Sequence, residues 1–310
     1  MLAGLTEVAD GAHMPVHISS TCGECPWEAP CLAEAEKARD VSLTYGMQRR
    51  VARVLRQKGV HTLEALAACE PPVVARWTGL KLAQATQFVT QAQVLVTGEA
   101  RWRGGLQFAE AEVELFFDIE GDPEHDVEYL FGVLARHRDG SEVYRAFIAE
   151  CPEQEARAFG ELLEFVESHP TAPIYHYHHY ERAAIKALAA RHAILPTRAP
   201  AILTRMRDLH RDLAASAVLP VYSYSLKAVA KRLGARWTHP AASAAQSMFW
   251  YSSWLKTGER RLLDLAVEYN ADDCRATRRL KEWLAEGPGA PFEPENNEPA
   301  TITRRARSPV

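Results

Sequence analysis

The sequence holds no apolar run that approaches the roughly 20 residues a bilayer core requires, so no segment reads as a membrane span. Its opening residues lack a basic start followed by an apolar stretch, which argues against a secretory leader and makes the cytoplasm the expected compartment. Basic residues are not in excess. Lys and Arg number 36 against 40 Asp and Glu, a formal net charge of -4, so any hold on a polyanion must come from local patches or bound cations. Cysteine is scarce: six in 310 residues exclude the dense disulfide framework of a small secreted domain, although Cys22, Cys25 and Cys31 fall close together. What is present is ordinary globular composition, and the length suggests about two domains, each able to bury a core.

The text changes character along the chain. Residues 1–44 carry the cysteine cluster and a short helical pattern from Leu32 to Ala38. Residues 45–100 read as short helices broken by glycine: Gln48 to Lys58, Thr62 to Ala68, Pro71 to Trp77 and Leu82 to Leu95, with Gly59, Gly79 and Gly98 at the breaks. Residues 101–286 mix the two periods. Strands are expected at Val113 to Ile119, Tyr129 to Arg136, Glu142 to Ile148, Pro173 to Tyr177 and around Met206 to Leu209. Helices are expected at Glu153 to Glu167, Tyr180 to His192, Ser225 to Leu233, Ala241 to Thr257 and Arg260 to Leu284. Three successive strands followed by alternating helix and strand predict an α/β fold, a mixed sheet flanked by helices. From residue 287 the sequence is rich in Pro, Glu and Asn and ends in Arg304, Arg305 and Arg307, a composition that predicts a disordered tail.

Two acidic segments carry chemistry. Asp118 and Glu120 end the first strand, and because side chains alternate across a strand both leave from one face. Tyr269 and Asp273 are four apart in a helical pattern and share a face, whereas the competing Asp272 points about 100° away. Clustered carboxylates are hard oxygen donors, suited to a pair of Mg2+ or Mn2+ ions that stabilise the attacking and leaving oxygens of a phosphodiester. Singly, each piece has a plainer reading: a solvated strand rim, an ordinary helix tyrosine, or, for Glu181, an acid at a helix N-terminus. His176, His178 and His179 invite a zinc site, but without matching cysteines a supporting role for His176 fits better.

The order Asp118-Ile119-Glu120, His176 to Glu181, then Tyr269 to Asp273 resembles the three motifs of the proofreading-type exonucleases on the ribonuclease H-like fold, the DEDD superfamily in its tyrosine variant. The resemblance implies a metal-dependent 3'-5' exonuclease acting on single-stranded or frayed DNA or RNA. Asp118, Glu120, Glu181 and Asp273 would hold two ions, and Tyr269 would orient the attacking water. Glu181 departs from the family's usual aspartate by one methylene. Asp208 and Lys227 match scaffold elements that follow the second motif, with Lys227 a candidate phosphate contact.

Cys22-x2-Cys25-x5-Cys31 resembles the cysteine triplet that closes RecB-like nuclease domains carrying an iron-sulfur cluster. In a recognisable bacterial family such a domain is followed by the triplet, a helix-hairpin-helix-like unit and a YprB-type ribonuclease H-like domain. This sequence matches the last three parts, and the RecB-like core is expected to be absent. No fourth cysteine ligand is evident, so the resemblance leaves a remnant, a cluster completed by a partner RecB-like nuclease or helicase chain, or simple packing of small apolar residues. Lys58-Gly59 and Gly79-Leu80-Lys81 resemble helix-hairpin-helix turns, whose backbone amides hold a phosphate without reading sequence, beside a basic face of Arg49, Arg50, Arg53 and Arg56. A plain helical spacer is the alternative there. For the whole chain the alternative is a nucleic-acid-binding module without turnover.

Overall fold

The computed structural model describes residues 16–19, 22, 25–104, 106–193 and 197–287. The tail expected beyond them, with its arginine cluster, lies outside the described residues. The chain divides into two compact units, Met1–Arg101 with Val218–Tyr224, and Trp102–Ala217 with Ser225–Val310.

The first unit is helical: α1 Glu28–Ala38, α2 Arg49–Gln57, α3 Leu63–Ala67, α4 Pro71–Thr78 and α5 Leu82–Thr97. Proline opens α4, where its missing N–H costs nothing, and Gly79 and Gly98 end α4 and α5 in the left-handed conformation. None of these helices buries enough surface to stand alone; α2 to α5 share a core built from Val51, Ala52, Leu55, Leu66, Val74, Phe88 and Val89, and Ala35 of α1 packs with Leu43 and Leu63. Thr62 caps α3, its hydroxyl accepting from Ala65 N at 3.2 Å. Thr62→Ala is expected to lower the stability of this unit by about 1 kcal/mol, read as a shift in denaturant midpoint.

A later stretch completes the unit, which the sequence did not signal. The buried Gln91 amide donates to the carbonyls of Leu219 (2.8 Å) and Val221 (3.2 Å), and Tyr224 donates to Gln91 Oε1 at 3.2 Å. These bonds hold this stretch to α5, and the Leu219 carbonyl also accepts from Val221 N at 2.8 Å.

The second unit contains β1 Val113–Asp122, β2 Val127–His137, β3 Glu142–Ile148, α6 Glu155–Glu167, β4 Ile174–His176, α7 Tyr180–Arg191, α8 Arg198–Arg205, β5 Met206–Asp208, α9 Leu209–Ser216, α10 Leu226–Arg232, α11 Ala244–Thr257 and α12 Arg260–Glu286. The sheet runs β3-β2-β1-β4-β5, with β1–β2 and β2–β3 antiparallel and β1–β4 and β4–β5 parallel. The mixed sheet flanked by helices is the expected fold class.

Two helices, α8 and α9, escaped the sequence reading. Pro200 reads as a breaker, yet it sits in the first turn of α8, where no hydrogen-bond donor is required. α9 begins at Asp208, whose carboxylate accepts from His210 N at 2.9 Å and Arg211 N at 3.4 Å. Asp208 also accepts from His178 N at 3.0 Å, so it ties the end of β4 to the start of α9.

Alternation along β1 decides where the chemistry faces. Leu115, Phe117 and Ile119 pack with Phe131 and Val133 of β2 against Phe159, Leu162 and Val166 of α6 and Ile185 and Leu188 of α7. Each such side chain contributes about 2 kcal/mol by leaving water. The intervening residues, Asp118 and Glu120 among them, are thereby committed to the opposite face, where α12 packs on β1 and β2.

Candidate active site

α12 buries an unusually polar stripe: Tyr269, Asn270, Asp272, Asp273, Thr277 and Arg278 all lie inside. A helix pays for such burial only where partners await: Asn270 meets Asp118 of β1, Asp272 meets Thr238, and Asp273 meets Trp237. Carboxylate oxygens of Asp118, Glu120 and Asp273 fall within 4.8 Å of one another. Glu120 and Asp273 are buried and Asp118 is half-buried.

The acids are held by donors from α12, α11 and the loop after α10. Trp237 Nε1 donates to Asp273 Oδ1 at 2.7 Å, and the Tyr269 phenol also bonds Asp273. Asn270 Nδ2 donates to Asp118 Oδ2 at 2.7 Å, and Tyr144 of β3 donates to Asn270 Oδ1 at 2.8 Å. Ser247 of α11 bonds Glu120 and lies 2.7 Å from the Tyr129 hydroxyl.

Burial and mutual charge dominate the electrostatics. Desolvation, then the charge of Asp273, pushes Glu120 up to about 8. Desolvation raises Asp273 to about 7, against the lowering effect of the Trp237 and Tyr269 hydrogen bonds. Asp118 rises well above the carboxylate range through burial and the charges of Asp273, Glu120 and Glu181. The Tyr269 phenol, buried among the same acids, is pushed up and stays protonated. Three ionised carboxylates in so small a space need compensating positive charge. Hard oxygen donors of this number and spacing fit a divalent metal ion.

Asp272 does not compete for that role. Its carboxylate accepts from Thr238 N at 2.7 Å and pairs with Arg275 at 2.6 Å, turned away from the cluster as the helical angle requires. Glu181, the departure from the family pattern, is buried at the start of α7 with Oε2 3.2 Å from His176 Nδ1. It stands outside the three-carboxylate group, though near enough for its charge to raise Asp118. The acid that His176 contacts is Glu181, not one of the three clustered carboxylates. A second group, Asp122, Glu124 and His125, lies at the hairpin after β1. Asp122 there accepts from Glu124 N at 2.9 Å and contacts His125 Nδ1 at 2.7 Å, the bonds of a side-chain-closed turn.

The scan against protein families matches residues 115–285, more than half of the chain, to the RNase H superfamily. The chain belongs to the RNase H superfamily. No curated protein and no solved structure matched it. The matched span runs from β1 into the last turns of α12, the two elements that supply the three clustered acids. RNase H superfamily membership points to metal-dependent hydrolysis of nucleic acid, with DNA or RNA as substrate. Among the described residues, no helix is long and apolar enough to cross a membrane.

The other expected residues have these places. In the RNase H superfamily domain, Lys227 Nζ donates to the carbonyl of Ala242 and lies 5.6 Å from the centre of the Trp237 ring, so its amine is engaged beside the donor to Asp273. In the helical unit, Lys58, Gly59, Gly79 and Lys81 are exposed at the turns after α2 and α4, with Gly59 and Gly79 at φ of 81° and 71°. Arg49, Arg50 and Arg53 are exposed, whereas Arg56 is spent on Asp40 at 2.6 Å. Cys22 and Cys31 are partly buried, Cys25 is exposed, and all three thiols are free.

Sequence reasoning missed Asn270, Trp237, Ser247, Tyr144 and Gly132. Only Gly132 left a signal. An isolated glycine inside the apolar run Tyr129 to Arg136 marks a close approach of another group, here Asn270.

Proposed function

We propose that this chain is a two-metal 3'-5' exonuclease acting on single-stranded or frayed ends of DNA or RNA, of the tyrosine variant of the DEDD superfamily. The observation that carries this reading is the convergence of Asp118, Glu120 and Asp273 oxygens within 4.8 Å, beside a Tyr269 phenol bonded to the last of them. Asp118, Glu120 and Asp273 would hold the ions, with Glu181 the further candidate ligand. Mg2+ or Mn2+ bound there supplies positive charge against the charge that develops on the phosphoryl oxygens.

The remaining work belongs to the chain. Tyr269 stays protonated and donates to Asp273, so its oxygen is left to accept a hydrogen from the attacking water and aim that water in line with the phosphorus. Trp237, by donating to Asp273, fixes which carboxylate oxygen faces the substrate side. The divisions 1–44, 45–100, 101–286 and 287–310 are proposed as a cysteine-triplet segment, a helix-hairpin-helix-like unit, the exonuclease domain and a tail, in the YprB-type arrangement. Lys58, Gly59, Gly79 and Lys81 would grip phosphate, and the triplet would hold an iron-sulfur cluster with a ligand from a RecB-like nuclease or helicase partner.

The pairing of Glu181 with His176, away from the other acids, favours a second reading, a binding module without turnover. A time course on 5'-labelled single-stranded DNA and RNA with Mn2+ separates the two. A ladder shortening from the 3' end is expected; binding with no product at any Mg2+ or Mn2+ concentration would establish the module instead.

A further inference from the structure

Asn270 sits on α12 beside Tyr269 and is fully buried, so both ends of its amide must find partners. It finds them on two different strands. Its Nδ2 donates to Asp118 Oδ2 of β1 at 2.7 Å, and its Oδ1 accepts from the Tyr144 hydroxyl of β3 at 2.8 Å. The amide fits only because β2 carries Gly132 directly opposite Asp118: a Cβ there would lie 1.6 Å from Asn270 Oδ1 and 2.7 Å from the Tyr144 oxygen. Helix and three strands thus meet at one side chain that itself bears no charge.

We infer that Asn270 is a positioning residue for the metal centre: it ties Asp118 to the helix that carries Asp273, and Tyr144 fixes which end of its amide faces the carboxylate. The two acids come from segments more than 150 residues apart, and without a tether a buried pair of like charges spreads until the oxygen donors no longer suit one ion. Were the amide turned over, Oδ1 would face the carboxylate, acceptor against acceptor. In the observed orientation the Tyr144 hydroxyl donates to Oδ1 while Nδ2 faces the carboxylate. Gly132 is the vacancy that lets the device close.

The inference rests on the metal-centre reading proposed above, and the experiment separates them. Mn2+ affinity of the full chain is measured by electron paramagnetic resonance for the wild type, Asp118→Asn, Asn270→Ala and Tyr144→Phe, with circular dichroism and thermal unfolding in EDTA as fold controls. Asn270→Ala is expected to weaken Mn2+ binding about a hundredfold and Tyr144→Phe about tenfold, both losses offset by raising Mn2+ in a cleavage assay. A lowered unfolding temperature with unchanged Mn2+ affinity in either variant overturns the positioning role and leaves Asn270 as core structure. Should Asn270→Ala fail to fold, Tyr144→Phe decides, since it removes one oxygen and keeps the ring. Mn2+ binding that survives Asp118→Asn overturns the metal centre instead.

Discussion

Asp118→Asn is expected to abolish divalent-dependent cleavage of a labelled oligonucleotide while raising the thermal stability of the chain in EDTA. The two effects share one cause. Asparagine keeps the shape of aspartate and can still accept from Asn270, so the packing around β1 survives, but one of three mutually repelling carboxylates becomes neutral. The fold gains because burial and the neighbouring acids disfavour an ionised Asp118, a cost that the neutral asparagine does not carry. Catalysis loses a ligand, for which a fall of at least about a thousandfold is expected, equivalent to about 4 kcal/mol of transition-state stabilisation. Stabilisation and inactivation in the same variant mark a site built for function at the expense of stability. Retained turnover in this variant, with its unfolding temperature unchanged, rejects the site.

The chain in EDTA is expected to grow less stable as pH rises from about 4 to about 8, and Mn2+ to reverse the loss at the upper end. Glu120 moves from an ordinary 4.5 to about 8 in the folded chain, and Asp273 from 3.8 to about 7. The folded state therefore holds more protons than the unfolded one between those values. The benefit is full below the unfolded values and is lost as pH passes the folded ones. For Glu120 alone this amounts to on the order of 5 kcal/mol, or about 10 °C in unfolding temperature for a unit of this size. Protons and metal compete for the same oxygens, so Mn2+ should stabilise strongly at pH 8 and hardly at pH 5. Differential scanning fluorimetry at pH 5, 6.5 and 8, with EDTA or Mn2+, measures both arms. A flat profile in EDTA, or a Mn2+ shift independent of pH, is the contrary outcome.

Much of this site was readable in one dimension because its parts are periodic. The run Val113 to Phe117 sets a two-residue repeat that puts Asp118 and Glu120 on the face away from the apolar core, and β1 obeys it. Tyr269 and Asp273 obey the helical repeat, which is also why Asp272 turns to Thr238 and Arg275. Glu181 followed no such rule. Periodicity predicts the direction a side chain leaves its backbone, not where a long carboxylate comes to rest, which here is beside His176.

Composition, strand alternation and helical spacing in the sequence were enough for the α/β class, the order of the sheet-forming segments and the facing of the acids, because each depends on neighbours within a few residues. Tertiary structure alone decided the rest. That Gln91 secures Leu219 in the helical unit, that Gly132 makes room for Asn270, and that Trp237 steers Asp273 are matters of which distant surfaces come into contact. Such contacts arise from packing a whole sheet against its helices, and a linear text carries no period in which to write them.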